Sequence, residues 1–191
     1  MPLAALRAAG LKPRLLSPTQ LGYVYQIPKL LEAAEASALF QELTSGGHAW
    51  KTETDAFGPQ QRESFYCGDQ RAIFSYVGLS LTPRSWPDGR MTSARHAVQT
   101  VAAAHGTQCT ACLANHYAEG TGSIPWHHDE VRAHGPAKLV IALSLGGTRR
   151  MELRQRHAPS QPPLSLTLPE GSAVVMAGDA QEHWEHRLPL D

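Results

Sequence analysis

Seven of the ten histidines fall between His116 and His186, and the tightest group is Trp126-His127-His128-Asp129. On an extended segment, residues i and i+2 share a face. His127 and Asp129 can therefore reach one point while His128 is directed away. A third donor must come from elsewhere, and His183 and His186, in the segment EHWEHRLP, are both candidates. Two imidazoles and one carboxylate on one face of a metal leave positions open for a substrate and O₂, the donor set of non-haem Fe(II) oxygenases. The same donors accept zinc, which would instead suit a hydrolase. Spacing alone leaves the metal open.

A second candidate cluster is sulfur. Cys109 and Cys112 form a C-x-x-C, with Cys67 the remaining cysteine. That spacing serves redox and zinc pairs. Here it lies in QCTACLANHY, a strand-like stretch in which residues three apart face opposite ways. An odd count of three makes no disulfide framework and points to a reducing, cytoplasmic setting.

These side chains need a scaffold, and 191 residues make one domain. With 42% hydrophobic and 18% charged residues the chain can fill a core, and disorder of the whole is excluded. Formal net charge is zero. That excludes a polybasic binder but leaves room for a local basic patch. No apolar run approaches the ~18 residues of a membrane span; the longest, Leu139–Leu145 and Ala173–Ala177, are strand-sized. Residues 1–18 read as a loosely ordered N-terminal segment ahead of a domain over 19–191. Pro28 followed by KLLEAAEASALFQELTSGG predicts a helix with Leu31, Ala34, Ala38 and Leu39 on one face, ended by Gly46-Gly47. A second helix is expected over Thr92–Ala104, before Gly106. Between them, residues 55–90 are rich in Gly, Pro and aromatics, as in a lid of loops and short strands. Strands are expected at Cys109–Tyr117, Lys138–Leu145, Arg149–Arg156, Leu164–Leu168, Ser172–Met176 and Glu182–Leu188. The fold class is α+β, mainly β: a sandwich or barrel with the helices packed outside one sheet.

Four stretches in order carry a family resemblance. Asn115-His-Tyr117, a Gly-containing turn and Trp126-His127-His-Asp129 resemble the N-x-Y strand and H-x-D turn of the AlkB family of Fe(II)- and 2-oxoglutarate-dependent dioxygenases. Ser144-Leu-Gly-Gly-Thr-Arg149 is similar to its S-L-G-x-x-R turn. Gly171-Ser through Met176, Gly178, Gln181, Trp184, His186 and Pro189 resembles its distal block. Arg62-Glu-Ser-Phe-Tyr66 with Ser75-Tyr76 resembles its nucleotide-recognition lid. The resemblance covers about residues 20–189.

The resemblance implies a double-stranded β-helix, or jelly-roll barrel. It selects His186 over His183, so that Fe(II) is held by His127, Asp129 and His186. It also implies that Asn115 and Tyr117 contact 2-oxoglutarate. With O₂, the cosubstrate yields succinate and CO₂ while an N-alkyl group on a nucleobase is hydroxylated and lost. Such a base must be flipped out or single-stranded. Phe74 and Tyr76 are candidates to stack on it above the ring of His127. Trp126, Arg62, Arg149 and Arg154 are candidates for base or phosphate contacts. The expected partner is nucleic acid with alkylated bases, bound by a monomer. Two departures stand out. The family places an acid where this chain has Val131, beside Glu130. It also continues past the distal His into a strand whose Arg pairs with 2-oxoglutarate, whereas here Arg187–Asp191 follow. A truncated or catalytically impaired form, or one acting on a protein or small molecule, is the alternative expectation.

Overall fold

The computed structural model describes residues 2–17, 20–118, 122–129 and 138–190. The elements run α1 (Pro2–Ala8), β1 (Arg14–Leu15), β2 (Tyr23–Ile27), α2 (Ala33–Thr44), β3 (Thr54–Asp55), β4 (Gly58–Pro59), β5 (Glu63–Gly68), β6 (Phe74–Tyr76) and β7 (Leu79–Leu81). They continue with α3 (Arg90–Ala104), β8 (Ala111–His116), β9 (Ile124–His127), β10 (Val140–Leu143), β11 (Arg149–Gln155), β12 (Leu164–Leu168), β13 (Ala173–Ala177), α4 (Ala180–His183) and β14 (Trp184–Leu188). Two antiparallel four-stranded sheets carry the fold, in the orders β1-β2-β13-β10 and β12-β11-β14-β9. Three two-stranded pairs, β3-β4, β5-β8 and β6-β7, complete the strands among the described residues. The arrangement is consistent with a jelly roll, and among the described residues the two sheets do not join into a closed barrel.

β13 explains the layering. All five of its residues are buried, because the strand has a core on each face. Ala173, Val175 and Ala177 join Tyr25 and Ile27 of β2 against Leu6 of α1 and Val101 and Ala102 of α3. Val174 and Met176 point the other way, onto Met151, Leu153, Leu166, Leu168 and Trp184 of the second sheet. At about 1.5–3 kcal/mol per fully buried large apolar side chain, this double contact makes β13 the strand on which both layers depend. A third core joins α2 and α3 to the β5-β8 ribbon through Leu39, Leu43, Phe65, Cys67, Met91 and Ala94.

Three expectations need correction. The N-terminal segment is not loose: α1 buries Leu6 completely under the first sheet. Pro18 lies outside the described residues. α2 begins at Ala33 because Leu30 and Leu31 donate their N–H groups to Gly171 O; its buried face is Ala36, Leu39 and Leu43, with Ala34 exposed. Glu182 and His183 belong to the short helix α4, so the last strand starts at Trp184.

His105, at the end of α3, fixes that helix to β2. Its Nε2 is 2.7 Å from the Tyr25 hydroxyl, and Tyr23 meets the ring edge-on at 6.1 Å. Burial holds its pKa below the ordinary 6.5. A neutral imidazole favoured by folding contributes stability in full above the unfolded pKa and loses it as pH falls toward the lowered folded value. Thermal unfolding is therefore expected to drop more steeply from pH 7 to pH 5 in the native chain than in His105→Gln. Equal slopes would refute this linkage.

Candidate metal centre and cosubstrate pocket

β9 pairs with β14 so that His127 lies directly opposite His186, and their rings are 4.1 Å apart. Asp129 follows two residues beyond His127, as the H-x-D spacing requires. One ligand atom from each of His127, Asp129 and His186 falls within 4.8 Å of the others. His186 Nε2 stands 3.8 Å from Asp129 Oδ2, too far for a hydrogen bond, so the donors surround a point rather than bonding one another. The Nδ1 of His127 is 2.8 Å from Pro125 O. A carbonyl only accepts, so the proton is on Nδ1 and the Nε2 lone pair is free for a metal. His186 is 6% exposed. Its pKa is pulled down to about 4, first by burial and then by the charge of His127, with Asp129 opposing. It is therefore a neutral ligand at ordinary pH. Its Nδ1 is buried without a hydrogen-bond partner among the described residues. Two imidazoles and a carboxylate at this spacing fit Fe(II) and leave coordination positions open.

The carboxylate is held by a residue whose role no sequence pattern disclosed. Gln181 Nε2 donates to Asp129 Oδ2 at 3.0 Å, and Asp129 N–H donates to Gln181 Oε1 at 2.9 Å. Gln181 is 1% exposed. It stands in the motif that carries the resemblance, but no local pattern shows an amide clamping an acid 52 residues away. Outer-shell partners of this kind are worth about 10–100-fold in metal affinity or activity. Gln181→Ala is expected to weaken Fe(II) binding by about that factor in a metal titration. Unchanged affinity would show the clamp to be dispensable.

Asn115 and Tyr117 lie at and just beyond the end of β8. Arg62 Nε donates to Asn115 Oδ1 at 3.1 Å. Burial raises the Tyr117 phenol above its ordinary pKa, the charges of Arg62 and Arg149 oppose this, and Tyr76 and Asp129 add to it. The phenol thus feels the charges of both arginines, Tyr76 and Asp129. Arg149 Nη2 donates to Gly122 O at 2.8 Å and Pro189 O at 3.1 Å, with its guanidinium 5.7 Å from the Tyr117 ring. A Cβ on Gly122 would come within 2.7 Å of Tyr117 Cβ, so the backbone there passes close under the ring.

The β3-β4 and β6-β7 hairpins are tied together by Ala56 N–H donating to Val77 O at 3.0 Å. On β6, Phe74 and Tyr76 stack at 5.0 Å, and Gln60 Nε2 donates to the Tyr76 hydroxyl at 3.0 Å. Phe57, between β3 and β4, is 91% exposed.

Trp126 and Arg154 depart from expectation. Each neighbours in sequence a residue facing the metal side, since Leu153 lies opposite His186, and strand alternation turns them to the outer face. There Arg154 donates to Glu185 Oε2 at 2.9 and 2.8 Å, and Arg187 donates to Glu152 Oε2 at 2.7 Å. The two guanidiniums lie 4.3 and 4.6 Å from the Trp126 ring. They clasp β9, β14 and β11 together, away from the metal. Glu130 and Val131 lie outside the described residues.

Antiparallel sheets that present two imidazoles and one carboxylate to a single point define the class of non-haem Fe(II) oxygenases. Residues 23–191 match the 2OG-Fe(II) oxygenase superfamily, and the chain belongs to it, within the AlkB family. Human alpha-ketoglutarate-dependent dioxygenase alkB homolog 3 is 26% identical over 187 residues, covering 92% of this chain. Human DNA oxidative demethylase ALKBH2 is 26% identical over 175 residues, covering 84% of this chain and 65% of its own length. The chain spans 63% of the length of the human and bovine homolog 3 proteins. The solved structure of OsALKBH1 superposes with a TM-score of 0.67 at 14% identity, covering 94% of this chain and 88% of that one, which shows a shared fold. Membership makes this a dioxygenase domain whose cofactors are Fe(II), 2-oxoglutarate and O₂. Among the described residues no helix is long and apolar enough to cross a membrane.

Proposed function

We propose that the chain removes alkyl groups from nucleobases in DNA or RNA by oxidation coupled to 2-oxoglutarate decarboxylation. The observation that carries this reading is the stacked pair Phe74–Tyr76, whose rings lie 5.0 Å apart on β6. A flipped or single-stranded base takes flat partners of this kind, and exposed Phe57 offers another. The relatives named above include a DNA oxidative demethylase.

His127, Asp129 and His186 would hold Fe(II), and Asn115 and Tyr117 would contact 2-oxoglutarate in the positive field of Arg62 and Arg149. Bound there, the metal and cosubstrate supply the oxidation, releasing succinate and CO₂. The chain's own work is positional. Gln181 keeps the carboxylate aimed, Pro125 O sets the His127 tautomer, and the lid aromatics present the alkyl group while excluding water. The reading includes a monomer in a reducing, cytoplasmic setting, in keeping with the three free thiols of the structure.

The test is succinate and formaldehyde release with methylated single-stranded and duplex oligonucleotides. Methyl-dependent release of both, reduced in Phe74→Ala and Tyr76→Ala, is expected. Succinate release stimulated only by a protein or small molecule would overturn the nucleic-acid reading.

A further inference from the structure

We propose that Cys67 and Cys112 form a reversible cross-strand dithiol–disulfide pair, a modification site that joins the lid-bearing strand β5 to the cosubstrate strand β8. The cysteine spacing in sequence directs attention to Cys109 and Cys112, but the fold pairs differently. In the β5-β8 ribbon Cys67 lies directly opposite Cys112, so both side chains project from one face. The next outward pair of the same kind is Asp69 and Thr110, joined by Asp69 N–H donating to Thr110 O at 2.8 Å. Hydrogen-bonded and non-hydrogen-bonded pairs alternate along an antiparallel ladder. Cys67 and Cys112, two residues further on, are therefore a hydrogen-bonded pair with Cα atoms about 5.5 Å apart. That is inside the 4.4–6.8 Å range of disulfides, so no strand has to slip or unpair.

The same position makes the bond labile. Directly opposed Cβ atoms stand about 4.5–5.5 Å apart, with the larger separation at hydrogen-bonded pairs, whereas a relaxed disulfide holds them near 3.8 Å. The bond would form under some strain, and strained disulfides are the more easily reduced ones. The thiols are also unequal. The neighbouring Cys112 and the charge of Arg95 lower the Cys67 pKa against the effect of burial, while the contact with Cys67 and burial raise that of Cys112. We take Cys67 as the attacking sulfur and Cys112 as the resolving one; the linked product is the same in either order.

With hydrogen peroxide as oxidant the steps balance. The Cys67 thiolate attacks one peroxide oxygen, the O–O bond breaks, and hydroxide leaves and is protonated to water, giving a Cys67 sulfenic acid. The Cys112 sulfur then attacks the Cys67 sulfur, and the S–O bond breaks. Hydroxide departs with the Cys112 proton as a second water. Two thiols lose two electrons, which reduce one peroxide. A small dithiol returns both thiols by exchange. Cys67 is 1% exposed, so the attack requires a brief local opening of the ribbon, which a molecule as small as peroxide can use.

The experiment exposes the metal-free full chain to hydrogen peroxide, quenches it with an alkylating agent, and maps peptides without reduction. Titratable thiols are expected to fall from three to one, with a loss of two hydrogens in mass, a Cys67–Cys112 linked peptide and Cys109 alkylated. Dithiothreitol should restore all three. Cys109→Ser should keep the link, and Cys67→Ser or Cys112→Ser should lose it. A Cys109–Cys112 link, or oxidation confined to Cys109, overturns the proposal. The wild-type map decides even where a variant folds poorly. It is also independent of iron and 2-oxoglutarate, so it stands or falls apart from the catalytic reading.

Discussion

Asp129→Ala is expected to abolish Fe(II)-dependent succinate release and the charge-transfer absorption that 2-oxoglutarate produces on chelating iron. The carboxylate is the only anionic member of the three-residue cluster. Without it the site keeps only its two imidazoles, and the negative charge that retains a divalent cation is gone. Loss of an outer-shell partner alone costs about 10–100-fold, and loss of the ligand itself must cost more. The effect separates from folding, because among the described residues Asp129 belongs to none of the apolar clusters: its side chain meets Gln181 and faces His186 across 3.8 Å. The thermal transition should therefore stay within a few degrees of wild type. Persistence of the absorption band in Asp129→Ala would move the metal elsewhere. The same substitution at His127 should behave alike. His186→Ala should in addition lower stability, since that ring is buried on β14.

What the sequence discloses about this site follows from the range of each interaction. His127 and Asp129 are two residues apart on extended backbone, so their common direction is a local property. Choosing between His183 and His186 is not local: it depends on the turn of helix Ala180–His183, which carries His183 away before β14 begins. Trp126 and Arg154 show the converse. Their types suit nucleic acid, but alternation relative to His127 and Leu153 sends them to the outer face, where each has found a partner. Alternation followed through from His127 is enough to place Trp126 there.

The fold divides in the same way. β13 is legible as an unbroken apolar run because both of its faces are buried. β2, Tyr23–Ile27, escapes because Gln26 interrupts its apolar pattern. The amide finds its partner in Thr167 O, 2.8 Å away on the other sheet. α2 is legible as a helix but not in its facing. Ala34 and Ala36 are equivalent in composition, and the contact of Leu31 with Gly171 decides which of them turns inward. The Cys67–Cys112 pairing has no local signal, being set by the register of strands 45 residues apart.

Gly22→Ala is expected to be the most damaging substitution outside the metal site. Gly22 has φ +82°, and a Cβ there would lie 2.2 Å from Ala180 N, 2.6 Å from Ala180 Cα and 2.8 Å from Asp179 C. All three are backbone atoms, so no side-chain rotation relieves the contact. A non-glycine residue in the left-handed region costs about 1–2 kcal/mol, and forcing extra volume into a packed site costs about 1–3 kcal/mol more. The sum, about 2–5 kcal/mol, corresponds to a fall in Tm of roughly 5–20 °C for a domain of this size. Gly10 is the control: it has φ +81°, but a Cβ there would meet nothing within 4 Å, so Gly10→Ala should show only the backbone cost of about 1–2 kcal/mol. The two variants also differ in what they reach. Ala180 opens α4 and precedes Gln181, so pushing it outward shifts the amide that aims Asp129. Gly22→Ala should therefore weaken Fe(II) affinity as well as stability, and Gly10→Ala stability alone. Equal melting shifts in the two variants, with iron binding intact in both, would mean that α4 can move without disturbing the Gln181–Asp129 clamp.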